Sequence, residues 1–234
     1  FEEQPLNDRT LGRFRARCNA YEEMTGIDLI HDCIVKLSSS MAAMMKLNTG
    51  MRRMDSLMVA SNIKKMSRLE LLYTSVANLA RRMKKLEDPA LPERLFHYTQ
   101  EDDHNKVLYH NRSEDTDSKT EQVLKDAALI LSACGSRYDE YSEYQLLIRA
   151  IKEQTKSDAN GNLTLKGKHD GMDSNTMQNP ADPDAAYRKK SGEEHRGYIA
   201  NVVEVTDDHH NSITVDYQYE KNNYSDSQFL KDYI

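Results

Sequence analysis

Two stretches near the end of the chain, GYIANVVEV (197–205) and SITVDYQYE (212–220), set the first limit on what it can fold into. Both are rich in β-branched and aromatic residues, which suit a pleated surface. Only the polar segment 206–211 separates them, so they predict an antiparallel hairpin. Most of the preceding sequence instead repeats its apolar residues at helical spacing.

Helices are expected over 8–22, with Asp8 as cap, and over 27–47. The second carries Ile27, Ile30, Ile34, Leu37, Met41 and Met44 on one stripe and is stopped by Asn48-Thr49-Gly50. Its methionines read as pliable core. MRRMDSLMVA (51–60) breaks the helical period and suits a strand with Asp55 at its middle. A long amphipathic helix follows over 67–86, then helices over 93–110, 119–134 and 140–155. Segments 111–118 and 166–183 read as loops, and Asn160-Gly161 as a tight hairpin turn. Ser225, with Gln228 three residues on, opens a last helix by a capping-box pattern. That helix stops at Ile234 with no Gly and no basic cap, which reads as a chain cut within an element.

The composition excludes several classes. Hydrophobic residues make up 38% of the 234 and charged residues 30%, more polar than an average domain but not disordered throughout. No apolar run reaches the roughly 18 residues of a membrane span, and FEEQPLNDR does not resemble a secretion signal. Cys18, Cys33 and Cys134 are odd in number and unpaired by spacing, so they read as reduced packing thiols in a cytoplasmic protein. The net charge of −6 hides an asymmetry. Residues 46–94 hold eleven Lys/Arg against five Asp/Glu, and residues 101–158 hold eight against thirteen. The basic block permits local phosphate binding.

No phosphate-cradling glycine loop, nucleophile elbow or HExxH pair is present. Asp158, Asn160 and Asn162 imitate the start of a calcium loop, but Leu163 and His169 stand where that loop needs Gly and Glu. Asp207-Asp208-His209-His210 reads as a solvated hairpin loop rather than a zinc site. Asp55 stands out, because aspartate is a poor strand former and costly to bury alone. The plain reading pairs it with Arg52 or Arg53, or turns it to solvent. The functional reading makes it a ligand of a hard divalent cation.

Two blocks carry a resemblance: D-S-x-x-x-x-S-N at Asp55–Asn62, and D-P-D-A-x-Y-R-x-K…G-Y at Asp182–Tyr198. With DYQYEKNNYSDSQFLKDYI (216–234), they make most of the chain resemble bacterial insertion-sequence transposases of the DDE superfamily, whose catalytic core is RNase H-like. The resemblance implies an α+β, mostly helical fold: a partial, three-strand RNase H-like sheet interrupted after its first strand by a long helical insertion. It divides the chain into a helical region (1–48), the first core strand (49–62), the insertion (63–178), and the core hairpin with the start of a helix (179–234). It implies a DNA transposase, with Asp55 as the first catalytic acid and a metal ligand for two Mg2+ or Mn2+ ions. The second and third acids are expected beyond Ile234, so the chain alone is expected not to catalyse. Asp216 and Asp226 do not fill the gap, since the family's second acid lies on the strand after the helix. The partners implied are double-stranded terminal repeats and target DNA, with a homodimer left open and no membrane. Lys64, Lys65, Arg68, Arg188, Lys189, Lys190 and Arg196 become candidate phosphate contacts. The competing class is a non-catalytic helical DNA-binding or interaction remnant in which Asp55 is structural.

Overall fold

The computed structural model describes residues 7–47, 50–109, 115–157, 163–167, 170–171 and 173–234. In chain order the elements are α1 (Asp8–Thr25), α2 (Leu29–Met44), β1 (Arg53–Ala60), α3 (Arg68–Lys85), a 3-10 turn (Glu93–Thr99) and α4 (Asp103–Leu108). Then come α5 (Asp115–Cys134), a second 3-10 turn (Gly135–Tyr138), α6 (Ser142–Gln154), β2 (Thr155–Ser157) and β3 (Leu163–Leu165). β4 (Ala186–Lys190), β5 (Glu193–Thr206), β6 (Ser212–Lys221) and α7 (Asp226–Tyr233) complete the order. The chain is α+β, with helices dominating small sheets.

Local chemistry explains the helix starts. Each orphan N–H of a first turn needs an acceptor. Asn7, not Asp8, caps α1 by accepting from the Thr10 N–H. Asp28 caps α2, Ser67 caps α3 and Ser225 caps α7, the last accepting from the Gln228 N–H. Gly26 ends α1 at φ 72°, a left-handed position that suits glycine. The helix expected over 93–110 is broken, because Gln100 is extended between the 3-10 turn and α4. Asn48, Thr49, His110, residues 111–114, the Asn160-Gly161 turn and His169 lie outside the described residues.

The main sheet has four strands in the order β1–β5–β4, with β6 also paired to β5; β2 and β3 form a separate antiparallel pair. Three strands were expected, and β4 is the addition. AYRKK is too polar to read as a strand, but Ser191 and Gly192 both take positive φ (52° and 90°) and turn it back onto β5. The register sets Lys189 opposite Glu194 and Lys190 opposite Glu193, so opposite charges face each other across the strand pair.

The chain divides into two compact units. One comprises residues 59–198 and 221–223. Its core is built on α3, which packs against α5, α6 and the first 3-10 turn. Leu72, Tyr73, Val76, Leu79 and Met83 of α3 meet Leu95, Ile130, Cys134, Leu147 and Ala150 in one buried cluster. Arg82 closes its rim by donating to Glu143 from both Nε (2.9 Å) and an Nη (2.6 Å).

The other unit comprises 1–58, 199–220 and 224–234. Its buried cluster is thin: Ala42, Leu47, Val203, Val205 and Val215, with Met54, Ile213 and Tyr233 partly covered against it. The expectation that the α2 methionines form core is corrected here. Met41, Met44 and Met45 are exposed. The face of α2 that is covered carries Ser38, which donates to the Val215 carbonyl (3.2 Å), and the small Ala42.

Candidate functional site

β1 alternates between covered and exposed residues, as a strand with one solvated face must. Asp55 and Leu57 fall on the exposed side, and Met54, Ser56 and Met58 on the other. The Ser56 hydroxyl donates to Asn201 Oδ1 (3.2 Å), and Asn201 Nδ2 donates to Gln218 Oε1 (3.0 Å). These bonds carry one polar row from β1 across β5 to β6. Asn201 is buried, so losing either partner would leave an unsatisfied amide.

The Asp55 carboxylate itself is uncommitted. Its contact among the described residues is with the N–H of the next residue, Ser56, at 3.0 Å. Arg52, the first candidate counter-ion, donates to the Tyr233 hydroxyl and stands over that ring at 5.4 Å. Asp55 is therefore not explained as half of an ion pair with Arg52. Asp216 is differently placed. It takes His31 Nε2 at 2.7 Å, which ties α2 to β6, and Asp226 lies in the first turn of α7.

Within the larger unit, the end of the first sequence block meets both ends of the second. The Asp182 carboxylate accepts from the Tyr198 hydroxyl (2.5 Å) and from the Ser61 hydroxyl. Partial burial works to raise its pKa. The Ser61 and Tyr198 hydroxyls and the Ala185 and Asp184 N–H groups outweigh that and hold it below the ordinary aspartate range. The Ser61 N–H donates to the Arg196 carbonyl (3.0 Å), and Asn179 Nδ2 to the Lys64 carbonyl (3.1 Å). Gly197, at φ 140°, allows this approach. A Cβ there would stand 2.4 Å from the Val59 carbonyl oxygen and 2.5 Å from the Ser61 nitrogen. The motif residues were visible in the sequence, but nothing in their spacing showed that they clasp each other.

The seven candidate phosphate contacts divide sharply. Arg68 is a packing residue, donating to Gln154 Oε1 (3.1 Å) and the Lys166 carbonyl (2.6 Å). Lys64 is held by Glu70 (2.8 Å) and Tyr109. Arg188 donates to the Asn222 carbonyl (3.1 Å). Lys65 (3.0 Å) and Arg196 (2.9 Å) share Glu194, and together they hold its carboxyl down at about 2. Lys189 is in register with the same Glu194, and Lys189 and Lys190 are both exposed. The structure thus brings Lys65 and Arg196 to one carboxylate, with Lys189 across from it in register, and sets Lys64 and Arg68 to structural tasks.

Sequence reasoning missed a buried polar network in the same unit. Asp126 accepts from the Tyr98 hydroxyl (3.0 Å) and pairs with Arg94 (3.0 Å). Asp103 accepts from the Tyr73 hydroxyl (2.5 Å) and meets His97 Nδ1 (2.8 Å). Burial, with the adjacent carboxylates, pushes both tyrosines well above their ordinary range. Every acid here has its partners, so the network reads as a satisfied core. Only the acidic character of 101–158 hinted at it. Among the described residues no group of three or more His, Cys, Asp or Glu could hold a metal ion, and no helix is long and apolar enough to cross a membrane. No protein-family model, curated protein or solved structure matches the chain.

Proposed function

We propose that this chain supplies the first acid-bearing strand and the following hairpin of a DDE-type transposase core, acting on double-stranded DNA. The observation that carries the reading is Asp55: an exposed carboxylate in the middle of a strand, with no ion pair among the described residues, where Arg52 is turned to Tyr233. The strand order supports it. β1 lies beside β5, and β5 beside β6, with a helical region between β1 and the hairpin. On this reading β1, β5 and β6 are the first three strands of an RNase H-like sheet, and α3 to α6 belong to an insertion.

The described residues do not by themselves build a two-ion site, which needs several oxygen ligands. Asp55 would supply one ligand to Mg2+ or Mn2+, with further carboxylates drawn from elsewhere in the working enzyme. The chain's own contribution is then to fix that carboxylate. The Ser56–Asn201–Gln218 row anchors β1 beside the hairpin, and Lys65, Lys189 and Arg196 offer positive charge to phosphates.

The test is excision of a marked element in cells by the full reading frame that encodes this chain. Asp55→Asn should lower excision by about a thousandfold or more, as loss of a metal-holding group does. Asp216→Asn should stay within severalfold. Parent-level excision in Asp55→Asn would end the proposal. One observation favours a non-catalytic DNA-binding or interaction protein instead: three of the seven basic candidates, Lys64, Arg68 and Arg188, are each held by partners within the fold. DNA binding with no dependence of any strand cleavage on Asp55 would select that alternative.

A further inference from the structure

Within the tightly built unit, the second half of α3 and the start of α6 line a hollow of about 290 Å3, formed by Asn78, Arg81, Arg82, Lys85 and Glu143. That is close to the lower end of the range for small-ligand sites, about 300–1,000 Å3. Asn78, Arg81, Arg82 and Lys85 recur at steps that share one side of a helix, so α3 supplies four of the five. Arg82 is already committed. It is held by its two bonds to Glu143 and lies over the Tyr141 ring, 5.6 Å from the centroid. Asn78, Arg81 and Lys85 differ from it: no hydrogen bond or ion pair engages their side chains among the described residues. The negative end of the helix dipole favours cations in the last turn of α3. It does not account for two of them sharing a hollow with an unengaged amide.

We propose that this hollow binds a small molecule by a phosphate monoester group. Charge chooses the group. Arg81, Arg82 and Lys85 against Glu143 leave two positive charges unmatched, and a phosphate monoester carries about −1.5 to −2 at pH 7. Arg81 and Lys85 supply charge-assisted donors, and the Asn78 amide supplies a neutral one. The Glu143 carboxylate is already neutralised by Arg82 and accepts from the Ser142 hydroxyl (3.3 Å). The surroundings choose a small molecule over nucleic acid. Exposed Glu87 follows α3, and exposed Asp139 and Glu140 precede α6. A polyanion laid across the hollow meets these carboxylates, whereas a compact ligand with one phosphate stays among the cations.

The proposal does not rest on the transposase reading, which uses none of these residues. Its test is isothermal titration calorimetry of the full chain with adenosine 5′-monophosphate, adenosine and inorganic phosphate. The monophosphate should bind at about 1 mM or tighter, inorganic phosphate should displace it, and adenosine should not bind. Arg81→Gln with Lys85→Gln should weaken the monophosphate at least tenfold, by loss of two charge-assisted bonds. Arg81→Lys, which keeps the charge, should lose only severalfold. Lys84→Gln is the control: that ammonium donates to Thr99 (3.2 Å) and does not line the hollow, so affinity should stay at the parent level. Arg81, Lys84 and Lys85 are exposed, so helix content by circular dichroism should not change. No saturable binding of the monophosphate up to about 10 mM, equal binding of adenosine, or an equal loss in Lys84→Gln overturns the proposal. So does a short DNA duplex that binds more tightly than the monophosphate, competes with it and loses affinity in the double variant.

Discussion

α3 and α2 are amphipathic helices of similar length, 18 and 16 residues, that end in opposite environments. α3 is enclosed by α5, α6 and a 3-10 turn, and Leu72, Val76 and Leu79 are wholly buried. α2 lays its small residues on the sheet and leaves its large ones outside. Periodicity foretold that both were helices with an apolar side. It could not foretell which side would be covered, because that depends on how much other structure is available to cover it. α3 is flanked in its unit by α4, α5, α6 and the first 3-10 turn; α2 has one helix and a narrow strip of Val203, Val205 and Val215.

The contrast predicts unequal responses to substitution. Native-state amide exchange suits the measurement, because it reads each unit separately. The largest effect is expected at Gly197 in the tightly built unit. Its Cβ would run into backbone of residues 59–61, which cannot swing aside as a side chain can. Gly197→Val should cost about 3 kcal/mol or more, seen as faster exchange across α3. Near-parent protection would show that β5 and the end of β1 are not clamped there.

Next comes a matched pair of truncations. Leu72→Ala should cost about 3 kcal/mol, by lost burial and the cavity left behind. Leu37→Ala, read in dilute solution, should cost within about 0.5 kcal/mol. Equal costs would break the comparison, because they would mean that the α2 stripe is covered within a single chain.

The smallest effect compares two acids. Asp182→Asn, which weakens bonds from two hydroxyls and two backbone N–H groups, should cost about 1–2 kcal/mol at pH 7. Asp216→Asn, facing one histidine, should cost less than about 1 kcal/mol. The folded-state pKa of Asp182 is lowered. Its contribution is therefore full above the unfolded aspartate value of about 4 and fades as pH falls through the lower folded value. The gap between parent and Asp182→Asn should close in acid. A gap that widened below pH 4 would contradict the assignment.

Much of the local structure was legible because local chemistry decides it. Ser225 caps the last helix where its sequence context said so, and the hairpin of β5 and β6 follows from its residue types. β4 was not legible, since AYRKK pairs through Lys–Glu register and a left-handed Ser-Gly turn rather than through apolar alternation. Of the candidate site, Asp55 could be singled out as an acid in a strand. The clasp of Ser61, Asp182 and Tyr198 could not, because its members lie 121 and 16 residues apart and meet only once β1 and β5 are paired. The roles of the cations were hidden for a related reason. Whether Arg68 is free for a phosphate depends on Gln154 and the Lys166 carbonyl, which come alongside it only in the fold.

The place of β1 at one end of the strand order has a practical consequence. A strand with no partner along its outer side among the described residues can recruit a neighbour's strand, and alternating Arg53 and Asp55 oppose that by charge. Replacing Asp55 with an apolar residue would then remove a guard against clumping together with any ligand for a metal. A drop in yield or solution homogeneity could pass for a chemical defect, so the isosteric asparagine is the cleaner probe at this position.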